Sequence, residues 1–233
     1  MVNDWLNYIQ NYFFGQKCQL CLATAAPLAI CPDCQQQLPH NNSSCRICSL
    51  PLETDIDVIC GQCQKQKPYF DTSLIPFLYE TPVKQLITRL KFHHDLVAIR
   101  SLSQLFNQYF SHLTTEAQCI IPVPLHPKRL AERGYNQALE LARPVAKALS
   151  LKIDYSICKR PVQTEIQSGL SATKRKQNIK NAFNITAHSY THVIIFDDVV
   201  TTGATVNELS KALKQSGVKT VEVWAIARAY KKY

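Results

Sequence analysis

Val193 to Val206 reads VIIFDDVVTTGATV. Four apolar residues run into two adjacent aspartates, two more apolar residues and a Thr-Thr-Gly-Ala-Thr turn. The apolar run predicts a short buried strand. Behind it, TVNELSKALKQSG (205–217) has helical spacing with Gly217 at its end. In sheets built from strand–turn–helix units, ligands lie beyond the carboxyl ends of the strands. Thr201, Thr202, Gly203, Ala204 and Thr205 therefore fall where backbone N–H groups at a helix start face outward. That is a cradle for a phosphate, to which the threonine hydroxyls add donors. Gly203 lets the backbone come close. Asp197 and Asp198 stand just before the cradle, placed to accept hydrogen bonds from vicinal hydroxyls such as those of a ribose 5-phosphate.

Outward from this stretch, strand and helix patterns alternate. SLIPFLYE (73–80), CIIPVPL (119–125), KIDYSIC (152–158) and VEVWAIA (221–227) read as strands. TPVKQLITRLKF (81–92) reads as a helix with Thr81 as N-cap and Pro82 at the first helical position. DLVAIRSLSQLFNQYFSHL (95–113) and YNQALELARPVAKALS (135–150) are helical by spacing. The alternation predicts an α/β domain with a mostly parallel sheet flanked by helices over residues 71–233. The six glycines, at 15, 61, 134, 169, 203 and 217, are too dispersed for a GxGxxG fingerprint or a GxxxxGK[ST] loop. A Rossmann dinucleotide site and a P-loop are thereby excluded.

Residues 1–70 are a different kind of chain. Eight of the ten cysteines lie there as four CxxC pairs: Cys18/Cys21, Cys31/Cys34, Cys45/Cys48 and Cys60/Cys63. Two intervening residues let both thiolates of a pair reach one tetrahedral zinc, so four pairs make two closed, structural four-thiolate sites. Sequential pairing gives two consecutive zinc ribbons; alternate pairing gives a cross-braced module. Apolar residues are few in this region, so zinc supplies much of its folding energy. Cys119 and Cys158 stand alone and read as small core residues. The opening MVNDWLNYIQNYFF predicts a short helix with Leu6, Ile9 and Phe13 on one face. It has no basic residue before its apolar ones, unlike a secretory signal. With no apolar run near the roughly 20 residues of a membrane span, the expectation is a cytoplasmic protein without membrane insertion.

Lys and Arg outnumber Asp and Glu by 26 to 17, a net charge of +9. Residues 1–70 hold four bases and five acids, net −1, so residues 71–233 carry +10. Two zinc tetrathiolates, each −2, bring the N-terminal module to about −5. A polyanion is therefore drawn to the C-terminal part.

VIIFDDVVTTGATV resembles the phosphoribosyl-pyrophosphate (PRPP) motif of type I phosphoribosyltransferases. PVPLHPKRLAERGYNQALELA (122–142) and RPVQTEIQSGLSATKRKQNIKNAF (160–183), with the four CxxC pairs before them, are similar to the ComF family of competence-associated proteins. The match runs over nearly the whole chain in the same order. It implies a type I phosphoribosyltransferase-like fold, preceded by a double zinc ribbon. Asp197 and Asp198 would hold ribose hydroxyls and Thr201 to Thr205 the 5-phosphate. The loop after CIIPVPL would offer Lys128, Arg129 and Arg133 to pyrophosphate, with His126 as a further donor and Tyr135, Asn136 and Gln137 opening the next helix towards the site. A flexible loop would contribute Arg160, Thr164, Gln167, Arg175 and Asn178. From Lys159 to Lys180 it carries six bases and one acid. Mg2+ would arrive with PRPP. The resemblance further implies a part in natural transformation, handling incoming single-stranded DNA, with a helicase or another competence protein as a possible docking partner. The alternative is an active phosphoribosyltransferase in nucleotide salvage, whose acceptor site the sequence does not reveal.

Overall fold

The computed structural model describes residues 17–25, 29–53, 58–92, 99, 102–103, 105, 109–110, 113–161 and 182–230. The expected N-terminal helix lies outside these residues, as do Thr164, Gln167, Arg175 and Asn178 of the expected flexible loop. In chain order the elements are α1 (Pro32–Gln36), α2 (Gly61–Lys65), β1 (Thr72–Leu74), β2 (Phe77–Leu78), α3 (Val83–Phe92), β3 (Cys119–Pro122), α4 (Pro127–Arg133), α5 (Gln137–Ala148), β4 (Lys152–Ile153), β5 (Cys158–Lys159), β6 (Asn184–Ile185), β7 (His192–Val200), α6 (Ala204–Gln215) and β8 (Thr220–Arg228).

The main sheet has the order β1-β8-β7-β3-β4, with β2 also on β8. Every pairing in it is parallel. The chain goes from β3 through α5 to β4 on one side, and from β7 through α6 to β8 on the other. The strand order therefore reverses between the neighbours β3 and β7. A crevice opens at such a reversal, outside the carboxyl ends of the two strands.

Side-chain alternation along the strands gives the sheet two apolar faces. Ile120, Ile194, Phe196, Trp224 and Ile226 pack with Leu86, Ile87 and Leu90 of α3 and Leu141, Ala142 and Val145 of α5. Phe110 stacks on Trp224 at 4.8 Å between ring centroids. Ile121, Val193, Ile195, Val221, Val223 and Ala225 pack with Val206, Leu209 and Leu213 of α6. Burying one such side chain contributes about 1.5–3 kcal/mol, so both faces are needed to hold the sheet flat against its helices. The cysteine pairs divide between the same two clusters. Cys18 and Cys31 join the α3/α5 face with Ile30 and Leu38; Cys45, Cys60 and Cys63 join the α6 face with Phe70 and Ile75.

Several expected elements are shifted. SLIPFLYE breaks at Ile75 and Pro76 into β1 and β2, because proline supplies no ladder N–H. The helix expected from Thr81 starts at Val83. Of the expected 95–113 helix, Ile99, Leu102, Ser103, Leu105, Tyr109 and Phe110 are described and helical, while Leu113 is described and lies outside the helix. KIDYSIC divides where Asp154 accepts hydrogen bonds from the N–H groups of Ser156 and Ile157, at 3.0 and 3.2 Å. That turn sends β5 out of the main sheet into an antiparallel pair with β6.

Candidate functional site

The strand predicted to end at Phe196 continues to Val200, so both aspartates lie inside β7. Adjacent strand residues face opposite ways. Asp197 continues the series of Val193 and Ile195, and Asp198 that of Ile194 and Phe196. Asp197 lines a small hollow with Val199, Val200, Thr201, Gly203, Ala204 and Thr205; Asp198 is not among its walls. The hollow holds about 20 Å3, room for one oxygen-sized group. Each aspartate stiffens the strand end: Asp198 N–H donates to Asp197 Oδ1 at 2.8 Å, and Val199 N–H to Asp198 Oδ1 at 2.9 Å.

Gly203 is the N-cap of α6 with φ +76°, in the left-handed region. This turns the chain from β7 into the helix while leaving the first α6 N–H groups pointing outward. The Thr202 hydroxyl accepts from Ala204 N–H at 3.4 Å. Thr201 is exposed, and Thr202 to Thr205 are half-buried.

The segment after β3 is a helix, not the loop expected. α4 carries Lys128, Arg129 and Arg133 and closes on Gly134 in the left-handed conformation. Pro127 at the first turn and the His126 cap explain it. His126 accepts from Lys128 N–H through Nδ1 at 3.2 Å, so its role here is a cap. Lys128 is exposed, whereas Arg129 and Arg133 are half-buried. Arg133 donates to Gln137 Oε1 at 3.1 Å. Asn136 caps α5 by accepting from Ala138 N–H, and it donates to Val123 O at 3.0 Å. Tyr135 donates to Leu90 O. The start of α5 is thus tied to the residue after β3 through Asn136, to α3 through Tyr135 and to α4 through Gln137.

Arg160, directly after β5, is buried, with its guanidinium 5.6 Å from the Phe183 ring centre. Burial holds it below its ordinary pKa, the neighbouring Arg129 adds to this, and Asp197 opposes both. Burial lowers Arg129 too, with Arg133 in the same direction. Arg129, Arg160 and Asp197 thus interact electrostatically, although they come from α4, the end of β5 and β7. Arg160 therefore feels a second guanidinium as well as a carboxylate, a local excess of positive charge suited to a multiply charged anion.

Arg228, at the end of β8, carried no sequence signal beyond closing an apolar run. It is 4% exposed. Its Nη1 donates to Val200 O at 3.1 Å, to Ala229 O at 2.7 Å and to Thr201 O. Its Nε donates to Cys48 O at 3.0 Å.

The cysteines form two tetrads, Cys18/Cys21/Cys31/Cys34 and Cys45/Cys48/Cys60/Cys63, with all sulfurs of each within 4.8 Å of one another. The pairing is sequential, not cross-braced. Cys21 and Cys31 sulfurs are 3.7 Å apart, as are those of Cys48 and Cys60. A zinc tetrahedron with Zn–S of about 2.3 Å has edges of about 3.8 Å, so both tetrads fit structural Zn2+. Burial works against ionising Cys18, but N–H groups of Cys21, Cys31 and Leu20 outweigh it and bring its pKa to about 6. Cys45 reaches about 7 by the same balance, with Cys60, Cys48 and Ile47 as donors. In each tetrad the surrounding N–H groups favour the thiolate form that zinc requires.

Residues 9–64 match the double zinc ribbon domain family. Competence protein F of Haemophilus influenzae is 36% identical over 228 residues, covering 93% of this chain and 99% of that protein. The chain belongs to the ComF family. Among other ComF relatives, the DNA utilization protein YhgH of Escherichia coli K12 is 34% identical, covering 90% of this chain and 96% of its own. Competence protein ComFC of Bacillus subtilis is 26% identical, with 81% of this chain and 79% of that one covered. A solved adenine phosphoribosyltransferase from Leishmania tarentolae aligns with 69% of this ComF chain and 93% of its own at 11% identity, with a TM-score of 0.32. No helix among the described residues is long and apolar enough to cross a membrane.

Proposed function

We propose that this protein serves natural transformation by handling incoming single-stranded DNA, and that the β3/β7 crevice binds PRPP or a related ribose 5-phosphate. The observation that carries the pocket is the hollow that Asp197 shares with Thr201, Gly203, Ala204 and Thr205 at the start of α6, supported by the electrostatic interaction of Arg160 with Asp197 and Arg129. The 5-phosphate sits on the turn, where the α6 N–H groups and the threonine hydroxyls donate to it. Asp197 accepts from a ribose hydroxyl, with Asp198 behind it on the strand. Arg129 and Arg160 take the pyrophosphate, with Lys128 and Arg133 as outer cations. Mg2+ belongs to PRPP as its counter-ion, and most of its ligands come from PRPP oxygens. The DNA role is supported by relatives named for competence and DNA utilization and by the +10 carried by residues 71–233.

The second reading is a phosphoribosyltransferase acting in nucleotide salvage. Pyrophosphate would leave C1 of the ribose through an oxocarbenium-like transition state, with the aspartates favouring developing positive charge and the arginines the departing anion. The crevice chemistry favours this reading as much as simple binding.

Fluorescently labelled single-stranded DNA titrated at two salt concentrations, with and without PRPP and Mg2+, tests the proposal. Tight binding that weakens with salt and changes with PRPP is expected. No binding in any condition would remove the DNA role. Release of pyrophosphate with a defined base would favour the transferase.

A further inference from the structure

We infer that Arg228 couples the second cysteine tetrad to the phosphate turn, so that the metal at Cys45/Cys48/Cys60/Cys63 positions the backbone that receives the ligand's phosphate. The inference rests on the pocket reading above and adds to it a link between two sites.

A single buried guanidinium bridges the two. On one side Nε donates to the carbonyl of Cys48, itself a member of the tetrad. On the other, Nη1 donates to Val200 O, at the end of β7, and to Thr201 O, the first residue of the turn. All its named partners are carbonyl oxygens, and no carboxylate pairs with it among the described residues. A buried charge needs a countercharge. The sulfurs of Cys48, Cys60 and Cys63 act on Arg228 in that sense, and a zinc tetrathiolate at −2 supplies it.

The rest of the second ribbon is fixed to the same sheet edge. The Ser49 and Ser73 hydroxyls are 2.7 Å apart, and the Thr72 hydroxyl donates to Arg46 O at 3.1 Å. Chelation by Cys45 and Cys48 fixes the Cys48 carbonyl, which orients Arg228, which fixes the turn. The first ribbon is fastened elsewhere: Gln19 accepts from Arg89 on α3 at 3.2 Å, and Pro39 O accepts from Leu78 N–H of β2 at 2.7 Å, whereas the side chain that reaches the turn's carbonyls donates to the second tetrad. Arg228 is a positioning residue, since it touches the turn through carbonyls that face away from a ligand on the N–H side.

Coupling between two sites is reciprocal, which permits a test on the unaltered, zinc-loaded full chain. Ribose 5-phosphate binding is measured first by calorimetry. Chelator is then added with iodoacetamide, and alkylation of each cysteine is followed by peptide mass spectrometry with and without ribose 5-phosphate. The expected result is a several-fold slowing at Cys45 to Cys63 and none at Cys18 to Cys34. Arg228→Met should abolish that asymmetry and weaken ribose 5-phosphate at least tenfold while retaining two zincs. Arg228→Lys, which keeps a cation but reaches fewer carbonyls, should recover part of both. Binding with equal or no protection of the two tetrads overturns the coupling and leaves the pocket standing. A flat calorimetric titration removes the pocket, and the coupling with it.

Discussion

Cys18, Cys21, Cys31 and Cys34 frame one metal position with Cys21 exposed and Cys34 half-buried; Cys45, Cys48, Cys60 and Cys63 frame another with three of the four buried. The donor sets are identical, and the CxxC spacing repeats. The settings differ. The first tetrad leans on the face that carries α3 and α5. The second joins the face that carries α6, the helix whose N-terminus follows the turn proposed to hold phosphate, and Arg228 reaches it. Coordination chemistry alone does not fix what a structural metal supports; the surface it is fastened to does.

The largest expected break in this comparison comes from removing one ligand on each side. Cys48→Ser and Cys21→Ser should each lower zinc content from two per chain to about one. Structural zinc contributes about 10–16 kcal/mol to folding its own module, so both should lower the melting temperature measured by calorimetry. Cys48→Ser should lower it further and should also weaken ribose 5-phosphate; equal losses would erase the distinction between the tetrads.

Next in size are the aspartates. Asp197→Ala removes the carboxylate that lines the hollow and faces Arg160. A charge-assisted hydrogen bond is worth about 1.5–3 kcal/mol, so PRPP affinity should fall about tenfold to a hundredfold. Asp198→Ala, on the other series of β7, should cost less. A titration in which Asp198→Ala is the more damaging change would put the ribose on the opposite face of the strand. DNA binding that survives both changes would show that the pocket and the DNA surface are separable.

Gly203→Ala is smaller again. An added Cβ would lie 4.0 Å from Val200 Cγ1, so space is available, and the cost is the left-handed backbone at φ +76°. That is about 1–2 kcal/mol, visible as a melting shift of a few degrees together with weaker phosphate binding.

The smallest effect distinguishes the isolated cysteines from the tetrads. Burial pushes the Cys119 thiol up to about 12, aided by the Asp154 charge, and pushes Cys158 to about 12 against the pull of Arg160. The thiolate is the reactive form. Once a chelator has removed the zinc, the tetrad cysteines should be alkylated readily near neutral pH. Cys119 and Cys158 should stay inert until near pH 12 or unfolding. Early alkylation of either would contradict its place in the core.

The tetrads were legible because CxxC spacing is local chemistry; their pairing was not, because nothing local distinguishes sequential from crossed partners. The βα unit around Asp197 was legible because an apolar run, a positive-φ glycine and a helical repeat follow one another in the chain. What sequence obscured was the length of β7, since a strand extending through two aspartates has no apolar pattern there. It also obscured the helical form of α4, where PKRLAER looked like a charged loop although His126 and Pro127 are start signals. Arg160 was named from a resemblance, but its approach to Arg129 depends on β5 leaving the main sheet. Arg228 was invisible because its partners are carbonyls of Cys48, Val200 and Thr201, and any residue type can offer a carbonyl.

One pairing has a consequence for how the protein is made. Among the described residues β1, just after the second ribbon, pairs with β8 alone: Thr72 lies opposite Glu222 and Leu74 opposite Trp224. Asp71 also accepts from Val221 N–H at 2.8 Å. The ribbons leave the ribosome before the sheet and can gather their zinc at once. The seat of the second ribbon on the sheet does not exist until β8 emerges, because non-local strand pairs form late. During synthesis the protein therefore passes through a stage with metal-loaded ribbons tethered beside an unfinished sheet. A nonsense mutation before Val221 would leave it there, with the ribbons folded and the turn at Thr201 unsupported.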